Sequence, residues 1–211
     1  MYSVSSKNVI KSFQGGKKIK FPDISLEKGK ALLIHGPSGC GKTTLLHLLA
    51  GLILPDEGSI LIENTELQKL SSSEIDAFRG KNIGICFQKP VFIRSLNVLE
   101  NLLMTQKLAG VPGDKKICLE ILAELGLEKV SQQKTNSLSQ GEQQRLVFIR
   151  ALLNHPKLIL ADEPSSSLDD ENTSRLMELM LSHSKTHGSS LVVVSHDERI
   201  KKFFDTKISL L

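Results

Sequence analysis

Gly36-Pro37-Ser38-Gly39-Cys40-Gly41-Lys42-Thr43, followed by Thr44, holds the residue types that bind a phosphate chain. Glycines without a Cβ let a short loop curl until its backbone N–H groups face an anion. The N-terminus of a following helix adds a positive end to the same place. Lys42 contributes mobile charge, and Thr43 a hydroxyl suited to a divalent cation. A glycine-rich turn that merely precedes a helix is the alternative reading. The context favours the cradle: an apolar strand, Ala31 to Ile34, precedes the loop, and Leu45, Leu46, Leu48 and Leu49 follow at helical spacing.

A second chemical element is Asp162-Glu163, two adjacent acids closing the apolar run Leu158-Ile-Leu-Ala161. Parallel sheets gather ligands at the carboxyl ends of their strands. There the two carboxylates divide the work: Asp162 holds Mg2+, directly or through water, while Glu163 polarises the water that attacks a terminal phosphate. A solvated acid pair at a loop entrance is the competing reading, weakened by the phosphate loop upstream.

These residues need a scaffold that brings strand ends together. Short runs rich in Ile, Val and Leu recur at Ala31–Ile34, Ile83–Phe87, Leu158–Ala161 and Leu191–Ser195, each bounded by turn residues. Helical spacing covers Thr43–Ala50, Val98–Leu108, Lys115–Leu125, Gly141–Leu153 and Glu171–Ser184, and Gly51, Gly110 and Gly126 stand just past the first three as stop signals. Strands alternating with helices predict an α/β fold with a largely parallel sheet, the core of a P-loop NTPase. The N-terminal thirty residues predict an antiparallel β element. From about residue 89 to 136 the alternation breaks into helix without strand, predicting a helical subdomain inserted in a single domain whose core comprises residues 1–88 and 137–211.

Composition bounds the class. The chain has 211 residues, 40% hydrophobic and 24% charged, enough to bury a substantial core. Cys40, Cys86 and Cys118 show neither metal-binding nor disulfide spacing, which fits a reducing compartment. No secretory leader and no apolar run of membrane-spanning length is present, so the chain is not expected to cross a membrane itself. The net charge of +4 is mild and carries little weight.

Leu138-Ser-Gln-Gly-Glu142, continuing through Gln143-Gln144-Arg145 into an apolar helix, gives the combination a family. With the phosphate loop and the acid pair it resembles the ATP-binding cassettes of ABC transporters, over nearly the whole chain. Their signature is ordinarily Leu-Ser-Gly-Gly-Gln; Gln140 and Glu142 depart from it, and Gln140 is expected to point away from phosphate. A helix cap without a ligand is the alternative reading of this motif. The resemblance implies that Ser139 and Gly141 contact the ATP held by a partner subunit. Gln88 matches the loop that touches the Mg2+ shell, His196 the switch histidine of the γ-phosphate, and Phe13 the aromatic stacked on adenine. Ser167-Leu168-Asp169 resembles the segment that meets the partner, although an N-capping Asp169 explains it nearly as well.

The same resemblance implies an ATPase with ATP and Mg2+, in which Lys42, Gln88, Glu163 and His196 serve the chemistry. Two cassettes close head to tail on two ATP, as a homodimer or a pair. A separate transmembrane permease docks beside Gln88 and the segment through Glu100, where Asn97-Val-Leu-Glu-Asn101 resembles a family string. The implied location is cytoplasmic, peripheral on the inner face of the cell membrane, with no nucleic acid as partner. Small cassettes of lipoprotein-release and macrolide-efflux systems are most similar in look. The chain is expected to have no room for a C-terminal regulatory domain after the strand-like Lys207–Leu211. A non-transport cassette regulating cell division or signalling at a membrane is the alternative.

Overall fold

The computed structural model describes residues 2–13 and 15–211. Two sheets are present. An antiparallel sheet contains β1 (Tyr2–Ser12), β2 (Lys18–Lys20), β3 (Ile24–Glu27), β5 (Glu57–Ile62) and β6 (Thr65–Glu66). The second is wholly parallel, in the order β10 (Thr206–Ser209), β4 (Ala31–His35), β9 (Ser190–Ser195), β8 (Leu158–Asp162), β7 (Ile83–Cys86).

Every residue of β8 and β9 is buried, which explains their unbroken apolar sequences: helices cover both faces of the sheet. One face packs on α1 (Lys42–Leu49) and the antiparallel sheet, burying Leu32, Leu45, Leu158 and Val192. The other packs on α5 (Gln140–Leu152) and α6 (Asp170–Thr186), and its core runs on into α3 (Val98–Leu108) and α4 (Lys115–Glu124). Residues 89–136 thus hold α3, α4 and short 3-10 turns, with one isolated bridge, Asn97 to Lys134, as their β pairing among the described residues. Gly51, Gly110 and Gly126 adopt positive φ (63°, 71° and 67°), terminating the preceding helices as their positions predict.

Two elements extend the sequence-based expectation. The antiparallel element does not end near residue 30: β1 pairs with β5, and Glu63-Asn64, both at positive φ, turn β5 into β6. A further helix, α2 (Ser72–Asn82), follows, opened by a Ser71–Glu74 capping box. At Gly84 a Cβ would stand 2.2 Å from the Ala151 carbonyl oxygen, so the absence of a side chain on β7 sets how closely α5 lies on the sheet.

Candidate active site

Register brings the predicted residues to one level. His35 at the end of β4 pairs with Ser195 at the end of β9, and Asp162 at the end of β8 pairs with Val194. The residues immediately following, Gly36, His196 and Glu163, therefore emerge side by side at the carboxyl edge. Gln88 follows β7 on the same edge.

The resulting cleft, about 420 Å³, is lined by Ser38, Gly39, Gly41, Lys42, Thr43 and Thr44 from the phosphate loop, with Gln88, Glu163 and His196 across from them and Phe13 at the rim. Gly41, at φ 104°, caps α1, where its left-handed backbone turns the loop into the helix. Lys42, only 7% exposed, donates from Nζ to the carbonyls of Gly36 (2.8 Å) and Pro37 (3.0 Å). Cys40 N–H also meets the Pro37 carbonyl, tightening the loop. Gly36 does not line the cleft; a Cβ there would lie 2.3 Å from the Leu210 carbonyl oxygen, so the residue is fixed by packing against the chain after β10.

Glu163 is buried, at positive φ (46°), and densely hydrogen-bonded. Ser195 Oγ donates to its Oε2 at 2.6 Å, the His196 N–H to both carboxylate oxygens at 3.1 and 3.2 Å, and Lys42 Nζ stands 3.8 Å from Oε1. His196 Nδ1 lies 2.7 Å from Oε1. Because a carboxylate oxygen accepts, Nδ1 carries the proton of this bond. Asp162 is different: its Oδ1 is buried without a partner. Burial raises its pKa, and a hydrogen bond from the Thr43 hydroxyl offsets part of that rise.

Ser139 and Gly141 lie elsewhere. Ser139 caps α5 in a reciprocal box: Glu142 N–H meets Ser139 Oγ at 3.4 Å, while Ser139 N–H and Oγ donate to Glu142 Oε2 at 2.8 and 2.7 Å. Glu142 is thus the capping partner of the signature serine, and its pKa is lowered chiefly by that serine's hydroxyl. Gln140 is exposed. Gly141 borders a separate cavity with Arg145, Asn172 and Arg175. Asp169 accepts the Asn172 N–H at 2.8 Å, so it does cap α6.

Sequence reasoning missed Lys17 and Ile19, which join Phe13 at the rim from the β1–β2 hairpin. It also missed Ser195, whose signal was only its place between an apolar strand and His196. A further network went unread: Ser165 Oγ donates to Asp197 Oδ2 at 2.7 Å, and Arg199 grips Asp197 through Nε (2.9 Å) and Nη2 (2.8 Å) while Nη1 reaches Asp170 at 2.7 Å. It latches the segment after Glu163 to the turn after His196.

A phosphate loop facing a buried carboxylate held by a histidine defines a P-loop nucleoside triphosphatase. Residues 19–166 match the family model described as ABC transporter, and the chain belongs to that family. It is 39% identical over 210 residues to the lipoprotein-releasing system ATP-binding protein LolD of Bacteroides thetaiotaomicron, a match covering 99% of this chain and 96% of that protein. LolD of Pseudoalteromonas translucida is 38% identical over 200 residues, covering 92% and 86%. Among solved structures, the ATP-binding cassette MJ0796, a dimer bound to ADP and Pi, superposes with a TM-score of 0.88 at 33% identity, covering 98% of this chain and 94% of that one. The cbiO1 subunit from Clostridium perfringens, part of the ABC transporter complex cbiONQ, gives 0.89 at 25% identity, covering 99% and 84%. The chain is an ABC ATPase, the ATP-binding subunit of a transporter.

Proposed function

We propose that two copies of this chain, or this chain and a second cassette, close on two ATP molecules and drive a separate membrane-spanning subunit of the lipoprotein-releasing type. The observation that carries the enzymatic part is the convergence of Lys42, Thr43, Gln88, Glu163 and His196 on one cleft. Glu163 accepts the proton of the attacking water, with Ser195 and the His196 N–H fixing its orientation. Lys42 leaves the loop carbonyls for the phosphates, and Phe13 stacks on the adenine. His196 reaches the γ-phosphate through Nε2, with Nδ1 still on Glu163.

The residues present fit Mg2+: a buried, unpartnered carboxylate oxygen on Asp162 beside the Thr43 hydroxyl is a hard-oxygen donor set. Thr43 and Asp162 would hold the ion, with Gln88 at its shell. When bound, it neutralises charge developing on the transferred phosphoryl group.

Ser139 and Gly141, neither of which lines the phosphate-loop cleft, serve the partner's ATP. Residues 89–136 relay closure to the membrane subunit. Support for docking there comes from exposed apolar side chains near Gln88 and α3: Val91 (63% exposed), Ile93 (44%) and Leu108 (79%). No helix among the described residues is long and apolar enough to span a membrane; we place the chain on the cytoplasmic face, held by its partner. The lipoprotein substrate follows from the names of the LolD relatives.

Purification of the chain from membranes in mild detergent tests this reading. A multi-span subunit should accompany it, and ATPase activity of the complex should respond to added lipoprotein. Recovery with a ribosome, with DNA or with a cell-division complex would overturn it.

A further inference from the structure

Away from the ATP cleft, three histidines and a carboxylate meet where α4, α6 and the segment after α5 come together. His183 and His187 stand one turn apart at the end of α6, with their rings stacked at 5.6 Å between centroids. The His155 ring is 6.1 Å from that of His187. Glu124, the last residue of α4, places Oε1 3.5 Å from His183 Nε2. One ligand atom from each of Glu124, His183 and His187 lies within 4.8 Å of the other two, the one such grouping among the described residues. Together with His155 they border a cavity of about 270 Å³.

Packing against Phe148 holds the His183 ring with its Nε2 toward Glu124. His183 is only 9% exposed, so its ring has little freedom to turn. Several imidazole lone pairs with one carboxylate form the donor set of zinc-class ions, not of Mg2+ or Ca2+.

We propose that Glu124, His183 and His187 bind a divalent transition-metal ion of the zinc class, with His155 in reach as a fourth ligand, and that the ion ties α4 to α6. Tetrahedral coordination with bonds of about 2.0–2.1 Å sets ligand atoms about 3.4 Å apart. The Glu124–His183 pair already stands at 3.5 Å. His187 and Glu124 are exposed, so their side chains rotate the remaining distance without disturbing the core.

The test uses the full-length chain, stripped with a chelator and titrated with Co2+ and then Zn2+ in excess Mg2+. Expected are a visible ligand-field band, displacement of Co2+ by Zn2+ at a ratio of one per chain, and a Zn2+-dependent rise in unfolding temperature. His187→Ala and Glu124→Ala alter exposed side chains and so spare the fold, which circular dichroism checks. Each should lower Zn2+ affinity at least tenfold and remove the thermal shift, whereas Cys40→Ser should leave both intact. Wild-type affinity in His187→Ala and Glu124→Ala, or loss of binding in Cys40→Ser, would overturn the proposal.

Discussion

Replacing Glu163 by Gln isolates its charge and proton affinity from its shape. The amide can keep its oxygen where the His196 N–H donates at 3.1 Å and turn its nitrogen toward Ser195 Oγ. That hydroxyl already accepts the Asp197 N–H at 3.1 Å and has a second lone pair free for the amide. One buried donor, the Ser195 hydroxyl, loses the acceptor of its proton, a loss small enough for the variant to fold. What it loses is the charge in these hydrogen bonds and the attraction to Lys42 at 3.8 Å, a stability cost of about 1–2 kcal/mol. The kinetic cost is larger. A positioned general base contributes about 100- to 10,000-fold, or about 2.7–5.4 kcal/mol of barrier. Steady-state phosphate release should fall by that factor while a fluorescent ATP analogue still binds, and sizing chromatography with ATP should show an accumulated dimer. Turnover within about threefold of wild type would refute the assignment of Glu163 as base.

Phe13→Ala removes the aromatic at the cleft rim and should raise KM for ATP by up to about tenfold with little change in kcat, the scale of one lost stacking contact; initial-rate kinetics check this. Gly84→Ala drives a Cβ into the Ala151 carbonyl and should cost about 1–3 kcal/mol, read as a lower urea midpoint. Asp197 is held at about 2, below its ordinary 3.8, chiefly by the Arg199 hydrogen bonds. Its depressed value means that the latch stabilises the fold above pH 3.8 and that this contribution disappears as pH falls toward 2. Asp197→Asn should therefore lower stability near neutrality by about 1 kcal/mol, after solvent screening, and converge with wild type in acid denaturation series.

Elements carrying dense apolar patterns were legible in the sequence. Leu45, Leu46, Leu48 and Leu49 mark α1, and all-buried β8 and β9 read as continuous apolar runs. Helix α2 was not legible, because it buries only Ile75 and leaves almost no periodicity; its Ser71–Glu74 capping box was the available mark. Strand β5 buries only Ile60 and Ile62 and begins at Glu57-Gly58, which reads as a turn. Contiguous site motifs were visible because their chemistry needs neighbours in sequence. Ser195 was not, since a serine at a strand end becomes informative only when strand pairing sets it against Glu163. Glu142 read as a departure from the usual signature, whereas its carboxylate completes the cap on Ser139.

The separation of Gly141 and Ser139 from the phosphate-loop cleft has a genetic consequence. In the proposed head-to-tail pair, a chain with Lys42→Ala spoils the site it holds, and a chain with Ser139→Ala spoils the site its neighbour holds. Joined together, both lesions fall on the same ATP, and the other is served by an unaltered Lys42 and an unaltered Ser139. Two inactive alleles expressed in one cell should therefore restore partial growth, while a single allele carrying both substitutions should not complement itself.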